Sequence, residues 1–209
     1  MTYALAQRRG PPPSFDVSTT PYAGVADSIR GMRQLAQAGQ AHPDVRRAAI
    51  ETVREVYPKD YTSELAALFY RTCQEQRYTR DPINREMIHH PATLLREGAS
   101  DCDDSATLLE SQRRNLPSAP GASPGGRLGP PRVLGQATGL ALQAMSIGNM
   151  GEFVIVGFEK NAPPGSRYTH VFLRVFDPGS GQWLVLDPVA GPTTRAMISK
   201  VQTWKSFPT

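Results

Sequence analysis

Cys102, one of two cysteines in the chain, sits in the run Asp101-Cys102-Asp103-Asp104 and directly precedes an apolar helical pattern. A thiol at a helix start is favoured as thiolate, the nucleophilic form, by the positive end of the helix dipole. The flanking carboxylates oppose that charge, so the thiol needs a cationic imidazole beside it. His170 opens the alternating run "HVFLRV", and Asp187 closes the next such run, "WLVLD". In the first run Val171, Leu173 and Val175 fall on one face, and His170, Phe172 and Arg174 on the other. The connecting "DPGSGQ" gives the same parity as a two- or a four-residue turn. His170 and Asp187 are therefore predicted on one face of neighbouring strands, opposite or diagonal and within reach. A carboxylate so placed holds the imidazole tautomer and stabilises its cation. The chemistry implied is that of a thiolate nucleophile at Cys102, with His170 as the imidazole that offsets the acids and Asp187 as the carboxylate that orients it.

Those side chains need a helix packed on a sheet. A helix from about Cys102 to Asn115 puts Cys102, Ala106 and Leu109 on one face. Upstream, Val25, Ile29, Met32 and Leu35 recur at helical steps between Ala23 and Gln40. Pro43 can open a second helix at its first turn. Asp60 or Thr62–Ser63 can cap a third, with Leu65, Leu68, Phe69 and Cys73 on its apolar face. "HPATLLREG" reads as a short helix closed by Gly98. Residues 117–132 form a proline- and glycine-rich linker, and "VLGQATGLALQAM" a weak helix. After that the period changes to two, and 152–159, 168–176 and 182–189 read as strands. Helices first and an antiparallel sheet second is an α+β order.

A chain of 209 residues is long enough for one domain. Its net charge is only +4, and the densest basic pairs are Arg46–Arg47 and Arg113–Arg114. That is too thin for the clustered stripe of a nucleic-acid binder. Two cysteines give neither a disulfide framework nor a zinc-type pair, and they suit a reducing cytoplasm. The N-terminal residues carry no signal-peptide pattern, and no stretch reads as a membrane span. His89–His90 fall in a loop or helix start without a second ligand cluster. Helix geometry spreads Cys102, Asp103 and Asp104 around the axis, which argues against their converging with His170 on a metal. Neither metal nor cofactor is expected. Trp183 is expected to pack on the sheet.

The pieces "DCDDSATLLES", "THVFLRV" and "WLVLDP" resemble the transglutaminase-like superfamily, which shares the papain-like cysteine-protease architecture. "ALFYRTCQEQRYTRDP" and "HPATLLREG" are similar to the segments leading to that family's cysteine. The resemblance spans roughly residues 60–190 and implies Cys102 as nucleophile, His170 as general base and acid, and Asp187 as the orienting carboxylate. Ser100 stands where the family usually has glycine, and 117–150 intervene where it usually runs quickly into a strand. The backbone N–H of Cys102 is the oxyanion donor that can be named; Tyr78 is either a second contributor or a packing residue. Small free-standing proteins of this kind are similar to ones encoded by bacteriophages and prophages.

The expected organisation is an N-terminal arm over 1–20, a helical segment over 21–59, a transglutaminase-like domain over 60–190 with a flexible insertion at 117–150, and an extension over 191–209. The expected function is acyl transfer on a protein or peptide substrate, as protease, amidase or transglutaminase. The alternative is a structural or virion-assembly component that binds other virion proteins without catalysis.

Overall fold

The structure is a computed structural model and describes residues 15–16, 21–56, 60–81, 87–116, 151–157, 170–177, 182–191 and 203–209. The expected linker over 117–132 and the weak helix after it lie outside these residues. The molecule is of mixed helix and antiparallel sheet, an α+β fold.

Four of the five helices among the described residues start on a side-chain cap. The first, α1 (Pro21–Ala41), buries Ile29, Met32 and Leu35. The second and fourth, α2 (Pro43–Val53) and α4 (Pro91–Glu97), use one device: a His-Pro pair. Proline at the first helical position loses no intrahelical bond. The preceding histidine caps with its ring: His42 Nδ1 accepts from Asp44 N at 3.2 Å, and His90 Nδ1 from Ala92 N at 3.1 Å. In α3 (Tyr61–Glu75) the Asp60 carboxylate accepts from Ser63 N at 3.1 Å. Gly98 closes α4 at φ 62°, the left-handed conformation glycine adopts without strain. In α5 (Cys102–Arg113) Asp101 is the cap, accepting from Asp104 N at 3.3 Å.

Two short ladders tie the helical layer together. They join β1 (Phe15–Asp16) to β3 (Met87–Ile88), antiparallel, and β2 (Arg77–Tyr78) to β4 (Ala99–Ser100), parallel. Residues 15–16 of the expected arm are thus paired to the body.

The main sheet has the order β7-β6-β5-β8, all antiparallel, with β5 Gly151–Gly157, β6 His170–Asp177, β7 Gln182–Leu186 and β8 Thr203–Pro208. Asp177 pairs with Gln182, which closes the four-residue form of the turn. Val171, Leu173 and Val175 join the helices' core with Phe153, Ile155 and Leu186, while Phe172 and Val154 form a small cluster on the other face. The predicted alternation is therefore the observed one.

Between the layers lies α5. Every residue from Asp103 to Arg113 is buried, although eight of the eleven are polar or charged. Polar burial is tolerated where the groups find partners. Glu110, wholly buried, accepts from Arg113 Nε at 2.6 Å, Arg113 Nη2 at 2.8 Å and Arg114 Nε at 2.7 Å. Burial pushes its carboxyl up, but the two guanidiniums outweigh that and hold it below the usual range. Among the described residues no helix is long and apolar enough to cross a membrane.

Candidate active site

Cys102 is the first residue of α5, as its sequence position predicts, and is half-buried against the main core. His170 is the first residue of β6, and Asp187 follows the last residue of β7. The ladder pairs Leu173 with Leu186, so one step further Asp187 stands diagonal to His170. The two side chains meet: His170 Nε2 lies 2.7 Å from Asp187 Oδ2, with the ring 8% and the carboxylate 3% exposed. The other carboxylate oxygen accepts from the N–H groups of Val189 and Ala190, both at 3.2 Å. Three bonds thus fix Asp187 against rotation, and Asp187 in turn fixes the ring through Nε2. The ring also lies beside Phe172, with centroids 6.3 Å apart.

The start of α5 carries more acid than a capping motif needs. Carboxylate oxygens of Asp101, Asp103 and Asp104 lie within 4.8 Å of one another, all three residues buried. Helix geometry alone would spread them. They converge because Asp101 is the cap, outside the helix, and folds back so that its Oδ1 and Asp103 Oδ1 both accept from Asp104 N. Among the described residues this is the one group whose geometry would suit a cation, and four of its oxygens already take part in hydrogen bonds. Asp104 Oδ1 accepts from His89 N at 2.7 Å, and Oδ2 lies 3.0 Å from His89 Nδ1.

That pair is the site feature missed in the sequence, where His89 reads as a loop or helix-start residue. The hydrogen bond to Asp104, with the charges of Asp104, Asp81 and Glu97, pushes the imidazole up to about 8 against its partial burial. Burial and the Asp101 charge push the Asp104 carboxyl up as well, while the two His89 bonds pull it down. On balance the Asp104 carboxyl is raised, with both its oxygens in hydrogen-bond contact with His89. His90 goes the other way: burial, His42 and Arg96 hold it down to about 4.

Two further groups border Cys102. Tyr78 stands across the ladder from Ser100, two residues before the thiol, and is 49% exposed rather than packed inside. Partial burial and the charge of Cys102 both raise its hydroxyl's pKa. Ser100, in the position glycine was expected to hold, exchanges a 2.6 Å hydrogen bond with Ser105, which ties the approach strand to the helix. Cys73, near the end of α3, has its thiol pushed up to about 11 by burial and then by the Asp187 charge. Trp183 packs on the sheet as expected: its ring meets Phe176 edge-on at 5.7 Å, and the Arg174 guanidinium sits 4.6 Å from its centre.

No described protein family matches the sequence, and no curated protein matches it. Among solved structures, a chain from Parabacteroides distasonis, provisionally described as a protease, aligns over 77% of this chain at a TM-score of 0.48 and 8% identity. This chain spans 26% of that protein's length.

Proposed function

We propose that the protein is a cysteine-nucleophile acyl-transfer enzyme acting on peptide or amide bonds, with a papain-like, transglutaminase-like site made of Cys102, His170 and Asp187. The observation that carries this reading is the buried 2.7 Å pair of His170 Nε2 with Asp187. It engages Nε2, the far nitrogen of the ring, so in this reading the thiol works against Nδ1.

The packing supports bringing Cys102 to that nitrogen. Among the long strands α5 lies along β6. At its far end Arg113 Nη1 donates to Tyr61 Oη at 3.2 Å, while the next residue, Thr62, donates to Asp177 Oδ2 at 2.8 Å. A Cβ on Gly151, which pairs with Val175, would lie 3.3 Å from Arg113 Nη2. The end of α5 is thus level with the end of β6. From Arg113 back to Cys102 is about 16 Å of helix, and from Val175 back to His170 about 17 Å of strand. The start of the helix then falls level with the start of the strand. By the pleat, His170 and Asp187 share the side of Phe172, so in this reading the thiol reaches them around the end of the sheet.

In this mechanism the Cys102 thiol passes its proton to His170, and the sulfur attacks the substrate carbonyl. The Cys102 N–H and the dipole of α5 stabilise the oxyanion, with the Tyr78 hydroxyl at its edge. The imidazolium returns its proton to the leaving amine, and water or a second amine resolves the acyl-enzyme. Asp187 keeps the tautomer throughout.

The test is iodoacetamide labelling of native protein, read by peptide mass across several pH values. Cys102 is expected to react faster than Cys73, whose burial suppresses ionisation. His170→Ala should slow Cys102 by about tenfold or more at neutral pH and leave Cys73 unchanged; Asp187→Ala should act in the same direction, less strongly. Equal rates at the two thiols, or no response to His170→Ala, removes the catalytic reading and leaves the structural one.

A further inference from the structure

We infer that His89 is a positioning residue for the Cys102 thiol: clamped as a cation on Asp104, it cancels carboxylate charge at the start of α5 that would otherwise keep the thiol protonated. This deepens the nucleophile reading of Cys102 and rests on it.

The problem His89 solves is visible in the first turn. Asp101 and Asp103 flank Cys102 in sequence, and Asp104 is two residues on, about 5–6 Å away between Cα atoms. All three carboxylates are buried and crowded together, where charges are poorly screened. Negative groups at that range disfavour a thiolate. The helix dipole offers the equivalent of only about half a positive charge, less than one carboxylate takes away. Without a full local cation, the start of α5 would be a poor place for a nucleophilic sulfur.

His89 supplies that cation and is held in place. Its backbone N–H and its Nδ1 engage the two oxygens of Asp104, at 2.7 and 3.0 Å. The residue before it, Ile88, is fully buried, and the residue after it caps α4. The ring is therefore anchored from both sides, yet 29% exposed, so it exchanges its proton with solvent. The charges acting on it are acidic: Asp104 from α5, Asp81 before β3, and Glu97 from α4. On β1, Asp16 pairs with Met87, two residues away. These charges hold the proton up to about 8, so His89 is cationic where the thiol must ionise. Around Cys102 itself the titrating neighbours are the three aspartates and Tyr78, with His170 and Asp187 beyond them in the proposed site.

The experiment measures the pH profile of Cys102 alkylation by iodoacetamide on the whole chain. His89→Asn keeps an N–H donor in the place of Nδ1 and removes the charge. It should move the inflection of Cys102 up by about one pH unit, about tenfold less thiolate at neutral pH. His89→Arg, which keeps a cation, should retain the wild-type inflection. The double variant His89→Asn/Asp104→Asn, which removes both charges, should return it to within a few tenths of wild type. The proposal falls if His89→Asn leaves the inflection in place, or if the Asn, Arg and double variants all shift it alike, which is what a purely structural role would give. Slow labelling of Cys73 reports that each variant is folded. If His89→Asn unfolds, His89→Gln, which removes the same charge, takes its place, and an unmoved inflection there overturns the proposal. His170→Ala separates the two ideas. A shift with His89→Asn but none with His170→Ala sinks the catalytic reading and keeps the charge role of His89; the converse keeps catalysis and sinks His89.

Discussion

At the scale of the residue, the four histidines do different work because each ring nitrogen meets a different atom. His42 and His90 accept backbone N–H groups, and their rings meet edge-on at 5.4 Å. A proton on His90 Nδ1 would turn that acceptor into a donor aimed at another donor. Its folded pKa is depressed to about 4, below the ordinary 6.5, so the unfolded chain binds the proton more readily. Stability from His90 is then fully present above about pH 6.5 and drains away as pH falls toward 4. His90→Asn, which caps with an amide oxygen, should flatten the acid limb of the thermal-unfolding profile between those values. His90→Ala should cost about 1 kcal/mol at neutral pH. If both variants track the wild type from pH 7 to pH 4, the ring is not the cap that matters. The repeated His-Pro pair was visible in the sequence, but spacing gives no hint of which ring nitrogen accepts what. His89 was harder still, since its partner Asp104 lies fifteen residues away.

At the scale of the element, α5 carries its polar end inside the molecule. The stretch "ESQRRN" looks too hydrophilic for a central helix, and its amphipathic signal is correspondingly weak. What makes it fit is the ion cluster of Glu110 with Arg113 and Arg114, with Tyr61 accepting one further bond. The Arg113 guanidinium, buried but doubly bound to Glu110, is held further toward the charged form. Breaking such a set by removing one partner is costly because the other charge stays buried. Glu110→Gln should therefore lower stability by about 3 kcal/mol, read as a drop in the urea midpoint at unchanged slope. A loss under about 1 kcal/mol would mean that water reaches Arg113. Helix starts were legible because their signals are local: Pro43, Asp60, Pro91 and Asp101 each act on the next turn. The ion cluster was not, because a helix pattern does not tell a solvated charge from one buried with its partner.

At the scale of the whole molecule, the order of helices and then strands announced an α+β fold, and the alternation in β6 and β7 placed His170 beside Asp187. The two-residue ladders of β1 with β3 and β2 with β4 left no trace, since two residues cannot show a period. The strand β8 was read as an extension: "TWKSFP" mixes charge and proline, which suits the sheet edge it occupies. With α5 between the layers, its amides have no route to solvent short of parting helices from sheet. Native hydrogen exchange should find the amides of α5 and β6 slowest, opening together near the global unfolding free energy, while β7 and β8 exchange faster. Exchange of α5 well ahead of β6 would show that the layers part without unfolding.

That layering has a consequence for synthesis. The helices lie N-terminal to the sheet, so Ala106 and Leu109 leave the ribosome before Leu173 and Val175, their partners in the core, have been made. At about 5–20 residues per second the nascent chain spends several seconds in that state. For that interval it is a customer for chaperones, and the speed of translation through the intervening segment bears directly on how much protein a cell recovers.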